Sequence, residues 1–399
     1  MTTRATSKWV IFCSTLSVLA ACSGGGGGGT AGSGGQTGGA SGGGGTAGAA
    51  GSSAGSTGSA GSTGGTGGAA GQAGATDMGG MSGQLGGGLT PDCGKGATIA
   101  ETTDKLLFGV VSDGTSVYWI EQTILQFSQT STRVMRAPVA GGAATMVAMG
   151  TAIGIIAVDD ADLFYREGME MTNGPQALHR TAKAGGGADT VIATGKMFGP
   201  LALDATNVYY GALVTAGTAA NVTLAHVAKA ATGPGTNGVV AKGSNLTAGI
   251  STELVFQGDT IYWGNGIQLC SAKITGTDQP ITMALLDPLT SMISLSSEGT
   301  DLFYTGEYMS QTAVWRKPIA GGAATKLSDS ASKIGLATHA GKIYFAHNGL
   351  VRMNADCTGE TVLTTFNPGL TSLSTDAAFV FYGVSNGAGS PSKICKIAL

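Results

Sequence analysis

The fold class the sequence predicts is an all-β ring of seven repeated four-stranded units, carried behind a long low-complexity N-terminal segment. Three observations carry it. An aromatic pair recurs seven times between Thr90 and Leu399. Each copy continues into a short alternating strand and a Gly turn. The two ends of this region each hold part of one unit, so they complement each other.

The N-terminus comes first. Arg4 and Lys8 give a positive start, and Trp9 to Ala21 is a charge-free, mostly apolar run of thirteen residues. A membrane span needs ~20 residues, so this run is too short to be one. Positive start, short apolar run and small-residue exit are the layout of a secretory signal. The exit, Leu19-Ala20-Ala21-Cys22, resembles the lipobox of bacterial lipoproteins. The resemblance implies a signal peptide over residues 1–21, cleavage before Cys22, and lipidation of the Cys22 thiol and new amino terminus. Several acyl chains hold far more firmly than one, at ~0.8 kcal/mol per buried CH₂.

Residues 22–90 read as a disordered tether. From Ser23 to about Thr90 the chain is nearly all Gly, Ser, Ala and Thr, with no charge between Lys8 and Asp77. Such a segment cannot bury enough apolar surface to offset its ordering entropy. A strict Gly-x-y period is missing, which excludes collagen. A Gly-rich coil of this length spans roughly 45 Å. Its Gly runs lack the Gly-Lys-Ser/Thr of a phosphate loop. The formal net charge of −3 is mild and gives no reason to expect nucleic-acid binding.

Residues 91–399 carry the repeats. The pairs are Tyr118-Trp119, Phe164-Tyr165, Tyr209-Tyr210, Tyr262-Trp263, Phe303-Tyr304, Tyr344-Phe345 and Phe381-Tyr382. Their first members lie 46, 45, 53, 41, 41 and 37 residues apart. Each pair follows a polar turn, and each leads through a variable loop to a strand such as Arg133-Val-Met-Arg136. Gly turns follow, as at Gly141-Gly142 and Gly321-Gly322; Gly-Gly suits a two-residue hairpin, where both residues take φ > 0. Four antiparallel strands at a spacing of about 40–45 residues make one blade of a β-propeller. Isolated hairpins are not stable alone, which argues for ring closure.

Closure is readable at the ends. The seventh copy stops at Lys393 to Leu399, its third strand, and Ala97 to Ala100 can supply the fourth. Besides Cys22, the processed chain has Cys93, Cys270, Cys357 and Cys395. An exported compartment permits disulfides, and four Cys allow three pairings. Cys93–Cys395 is the expected one, since both fall in the closure blade. The chain-entropy model gives such a long loop ~4–5 kcal/mol. Cys270 and Cys357 then stay free, and the spacing of the Cys residues is not that of a zinc site.

At Val117-Tyr-Trp-Ile-Glu121 and Ile261-Tyr-Trp-Gly-Asn265 the chain resembles the YWTD repeats of LDL-receptor-like propellers and, more broadly, TolB-like propellers. The likeness runs from about Lys105 to Leu399. The family's Asp is replaced here by Glu121, Glu167, Asn265 or His347, and the YWTD ring has six blades where this chain counts seven. The resemblance implies a propeller with a protein- or ligand-binding surface.

The loops between second and third strands share one face and vary most. That face carries Glu121, Arg166, Glu167, Glu170, Asn265, Glu307, Tyr308 and His347. Of these, Glu121, Arg166, Glu167, Asn265, Glu307 and His347 form the candidate ligand-binding set, able in principle to meet a cation, a sugar or a basic peptide. On the opposite face a polar slot repeats as Asp113, Asp159, Asp204, Gln257, Glu298, His339 and Asp376, and such residues ordinarily bond their own turn backbone. No catalytic residue, metal site or cofactor is assigned, because no zincin, nucleophile-elbow or calcium-loop motif occurs. The function expected is a membrane-tethered propeller acting as a binding or scaffold module for a protein, peptide or carbohydrate. The alternative is a periplasmic or surface hydrolase or lyase using the variable-loop face. The expected location is the bacterial cell envelope, on the outer membrane by preference, with the folded part periplasmic or at the cell surface. The expected state is a monomer whose other partner is the lipid bilayer.

Overall fold

The computed structural model describes residues 91–399 apart from 125–129, 169–175, 217–218, 236–237, 243–251, 278, 286–290, 309–310, 330–334, 357, 366–368 and 386–390. Cys22, the tether, Glu170 and Cys357 lie outside the described residues. The described part is all-β.

The first strand, β1 (Ala97–Thr102), belongs to the last blade. Blade 1 is β2 (Leu106–Ser112), β3 (Ser116–Ile124), β4 (Thr130–Pro138) and β5 (Thr145–Thr151). Blade 2 is β6 (Ile155–Val158), β7 (Asp162–Glu167), β8 (Gln176–Ala182) and the first half of β9 (Thr190–Leu203). Blade 3 is the second half of β9 with β10 (Asn207–Ala216), β11 (Ala219–Ala228) and β12 (Gly238–Lys242). Blade 4 is β13 (Val255–Gln257), β14 (Thr260–Asn265), β15 (Gln268–Lys273) and β16 (Thr282–Leu285). Blade 5 is β17 (Ser291–Glu298), β18 (Asp301–Tyr308), β19 (Gln311–Pro318) and β20 (Thr325–Ser328). Blade 6 is β21 (Leu336–His339), β22 (Lys342–Ala346), β23 (Leu350–Asn354) and β24 (Thr361–Thr364). Blade 7 is β25 (Leu370–Thr375), β26 (Phe379–Ser385) and β27 (Ser392–Ala398), completed by β1. First strands of neighbouring blades touch around the axis, β25 with β2 and β2 with β6.

The aromatic pairs build the core. Successive strand residues point to opposite faces, so one ring of each pair faces the preceding blade and the other the following blade. Tyr118 of blade 1 packs with Tyr165 of blade 2. Phe164 shares a cluster with Tyr210, Tyr209 with Trp263, and Tyr262 with Tyr304. Phe303 shares one with Phe345, and Tyr344 with Tyr382. Phe381 of blade 7 and Trp119 of blade 1 share the cluster that closes the circle. Seven apolar clusters are thus seven interfaces between blades.

One backbone bond repeats in every blade. The residue after the third strand donates to the turn between the first two strands: Val139 N to Thr115 O, Lys183 N to Ala161 O, Lys229 N to Thr206 O, and Ile274 N to Asp259 O. Ile319 N to Thr300 O, Ala355 N to Gly341 O, and Leu399 N to Ala378 O complete the set, all seven within 2.8–3.2 Å.

The closure strand stands where the sequence puts it. β1 pairs β27 antiparallel, with Thr98 opposite Cys395. Cys93 and Cys395 form a disulfide, with Cα atoms 5.6 Å apart and a sequence separation of 302. The Cys93 carbonyl also accepts the Tyr382 hydroxyl at 2.6 Å. Cys270 is a buried free thiol, and burial pushes it up to about 12.

Two features differ from the sequence reading. β9 serves two blades, pairing β8 up to Gly195 and β10 from Lys196 onward, so blades 2 and 3 form one continuous sheet. Gly195, at φ +142°, and a bulge opposite Tyr209–Gly211 let the strand change partner without ending. The Gly-Gly turns are also wider than two residues. Residues 139–144 join β4 to β5, opening with a turn from Gly141 N to Pro138 O.

Candidate functional face

Strand alternation puts the loops between second and third strands on one rim, together with the links from each blade to the next. The opposite rim carries the remaining turns.

The six candidate residues of the variable-loop rim stand in blades 1, 2, 4, 5 and 6. Three of them serve the links between blades. Glu121 on β3 ion-pairs with Lys105, which lies on the link from blade 7 into blade 1. Arg166 on β7 is 4% exposed and its guanidinium donates to Gly199 O at 2.9 Å, where β9 crosses into blade 3. Glu167 accepts Thr151 N at 2.6 Å, at the start of the link from blade 1 to blade 2. Asn265, 5% exposed, ends β14, and its side-chain oxygen has no hydrogen-bond partner among the described residues. Glu307 lies near the end of β18, opposite Ser291 and Thr312. His347 follows β22 and its amide donates to Gly349 O at 2.9 Å. Only Arg166 and Glu167 are chain neighbours, and alternation sends their side chains to opposite faces of β7.

Two buried groups escaped the sequence reading. Glu253 is buried beside β13 and accepts Ser294 Oγ (2.8 Å) and Leu295 N (2.6 Å) of blade 5. His179 on β8, 7% exposed, lies between two carboxylates. Its position opposite Tyr165 in the ladder was the available signal.

The opposite rim holds the repeated polar slot. Asp113, Asp159, Asp204 and Asp376 each accept the amides two and three residues on, at 2.6–2.9 Å. Glu298 instead accepts Gly341 N of blade 6 at 2.7 Å, and Gln257 donates to Gly299 O of blade 5 at 3.1 Å. Cations then cross between blades. Lys183 Nζ reaches Asp113 at 2.7 Å and Lys229 Nζ reaches Asp159 at 2.9 Å. In return Arg136 donates to Lys183 O, Arg180 to Lys229 O, and Lys396 to Val139 O. Burial alone would raise Asp113, but the Lys183 ammonium and the Ser116 and Thr115 groups outweigh it and hold the carboxyl well below its usual range. Asp159 and Asp204 are lowered too, against the same burial cost, by amides together with Lys229 or the Tyr209 hydroxyl. Burial raises Tyr118, and the neighbouring Asp113 charge adds to the effect.

No group of three or more His, Cys, Asp or Glu side chains able to hold a metal occurs among the described residues. No helix among them is long and apolar enough to cross a membrane.

No family model matches the chain, and no curated protein matches it. Solved structures do. The β-propeller domain of the trilobed protease from Pyrococcus furiosus, which has an open velcro topology, aligns at a TM-score of 0.54 and 9% identity over 74% of this chain and 97% of that one. An acylaminoacyl peptidase aligns at 0.54 and 7% identity over 74% of this chain and 52% of its own. A prolyl endopeptidase matches at 0.46 and 15% identity over 76% of this chain and 46% of its own. The chain therefore spans about half the length of these two peptidases. At these identities the likeness shows the fold alone. The protein is a β-propeller of seven blades, and its ring is closed by an N-terminal strand and a disulfide.

Proposed function

We propose that this chain is a lipoprotein, anchored through Cys22, that displays its propeller as a binding or scaffold module for a protein, peptide or carbohydrate. The observation that carries the reading is the use made of the polar groups on both rims. Glu121, Arg166, Glu167, Glu253 and the turn aspartates hold blades and turns together. Their hydrogen bonds and ion pairs go to backbone groups and side chains of the turns and links rather than to one another. A closed ring with internally paired rims serves as a rigid frame, and specificity on such frames resides in loops. The lipobox-like Leu19-Ala20-Ala21-Cys22 and the charge-free linker support placement of that frame at a distance from a bilayer.

The test has two arms on the full chain. Cys22→Ala is expected to move the protein out of the membrane fraction, and unchanged membrane association contradicts the anchor. Pull-downs from envelope extracts compare the native chain with one whose segment 168–175 is replaced by Gly and Ser. A partner captured by the first and lost by the second supports the module. A partner set indifferent to every loop replacement counts against it.

A further inference from the structure

We propose that Met135, Met146 and Met149 form a binding site for a soft monovalent cation, Cu(I), on the outer part of blade 1. β5 pairs β4 through a bulge. Val134 stands opposite Ala148 and Met135 opposite Met146, so Val147 is the extra residue. Val147 and Ala148 both pack toward blade 2, in the cluster that holds Val134. Met146 and Met149 flank them. Residues three apart on a regular strand face opposite ways, and the bulge brings these two to one face. Met135 stands directly opposite Met146 on that face and packs against the cluster between blades 7 and 1.

Blade 5 carries the same turn and shows what these positions can do. Ala-Gly-Gly-Ala-Ala-Thr spans both 140–145 and 320–325. The bulge recurs, with Val314 opposite Ser328 and Trp315 opposite Lys326. Met146 and Met149 correspond to Lys326 and Asp329, and those two form an ion pair. Side chains at these two positions can therefore reach each other. In blade 5 they are a charged pair, as an exposed outer edge favours. In blade 1 they are thioethers, left 51% and 60% exposed. Away from this face, the methionines with described side chains, Met197, Met292 and Met353, are buried. Directly opposed strand residues have Cβ atoms about 5 Å apart. Methionine is unbranched with three rotatable bonds, so sulfurs placed this way can turn to one point.

The ligand type selects the metal. Soft sulfur ligands select Cu(I), whereas carboxylate and water suit hard cations. Thioethers are neutral and leave the ion's charge uncompensated, which costs least for a monovalent ion. The charged groups on this face are Arg133, opposite Met149, and Glu121, opposite Arg133 and paired with Lys105. Arg133 is exposed, and a side chain of that length carries its charge out into water. A thioether has no proton to lose, so binding here does not compete with protons as it does at His, Cys or carboxylate ligands.

Competition against bicinchoninate for Cu(I), under anaerobic conditions, tests this on the full chain with its accessible thiols capped by a maleimide. Cys270 is buried and is common to every variant. The native chain is expected to take up one equivalent. Met146→Leu and Met149→Leu conserve volume. Each is expected to weaken uptake at least about tenfold, the lower end of what losing even an outer partner of a metal site costs. Met146→Lys combined with Met149→Asp installs the blade 5 pair. That double variant is expected to lose uptake while its urea midpoint stays unchanged, so a folding defect cannot imitate the loss. The native affinity is expected to stay level between about pH 5 and about pH 8, where imidazoles change charge. No uptake by the native chain, or equal uptake by the double variant, overturns the proposal. So does an affinity that falls about tenfold or more toward acid, the mark of ligands that titrate.

Discussion

Several side chains in this protein work across blade boundaries. Asp113 is the fullest example. One oxygen closes its own turn, and the other meets Tyr118 and the Lys183 ammonium of blade 2. Asp113→Ala strands all these donors and is expected to cost about 1.5–3 kcal/mol in urea unfolding. The acid side follows from the sign of the shift. The folded carboxyl titrates below its unfolded value, so its contribution is complete above the unfolded range near pH 4 and drains away as pH falls toward the folded value. The native chain should lose stability below about pH 4 more steeply than Asp113→Asn. Equal slopes would remove Asp113 from the acid response. Cys270 gives a second residue-scale prediction. It is buried and its thiol is raised to about 12, and only a thiolate alkylates. Peptide mapping should find it modified by iodoacetamide only as the ring unfolds.

At the scale of elements, the closure strand and β9 show what sequence makes legible. The fourth strand of blade 7 could be read because the last repeat ends one strand short and a β-patterned segment precedes the first. Both closure cysteines fall in that blade. β9 could not be read the same way. Gly195, Gly199 and Pro200 look like the end of one blade, yet here they let one strand pass between two. The roles of the rim residues were not legible. The partners of Glu121, Arg166 and Glu167 come from links distant in sequence, and no spacing within a repeat announces them. The Asp slots were readable because their partners are two and three residues away. Cys93→Ser removes the cross-link but leaves β1 paired to β27. It is expected to cost about 2–5 kcal/mol, read by thermal or urea unfolding. A loss well under 1 kcal/mol would mean that the strand pairing alone closes the ring.

For the ring as a whole, stability resides in seven like interfaces, each joining rings from two blades. Phe381 and Trp119 sit at the one that closes the circle. Either residue replaced by Ala should cost about 3–5 kcal/mol, and the double variant should show a coupling of about 0.5–1.5 kcal/mol. Full additivity would mean the two rings are not coupled through that interface. The same architecture explains why function is harder to read than fold. The repeated residues are those that make blades and join them, whereas the variable loops carry no repeat against which to be compared. What the chain adds to this frame is its N-terminus, where Cys22 and the linker turn a ring into a displayed ring on our reading. Mass spectrometry of the N-terminal peptide of the membrane-extracted protein tests that most directly. The reading predicts a mature chain beginning at Cys22, with a diacylglyceryl thioether and an acylated amino group. A chain that begins elsewhere, or a Cys22 with a free thiol, would contradict it.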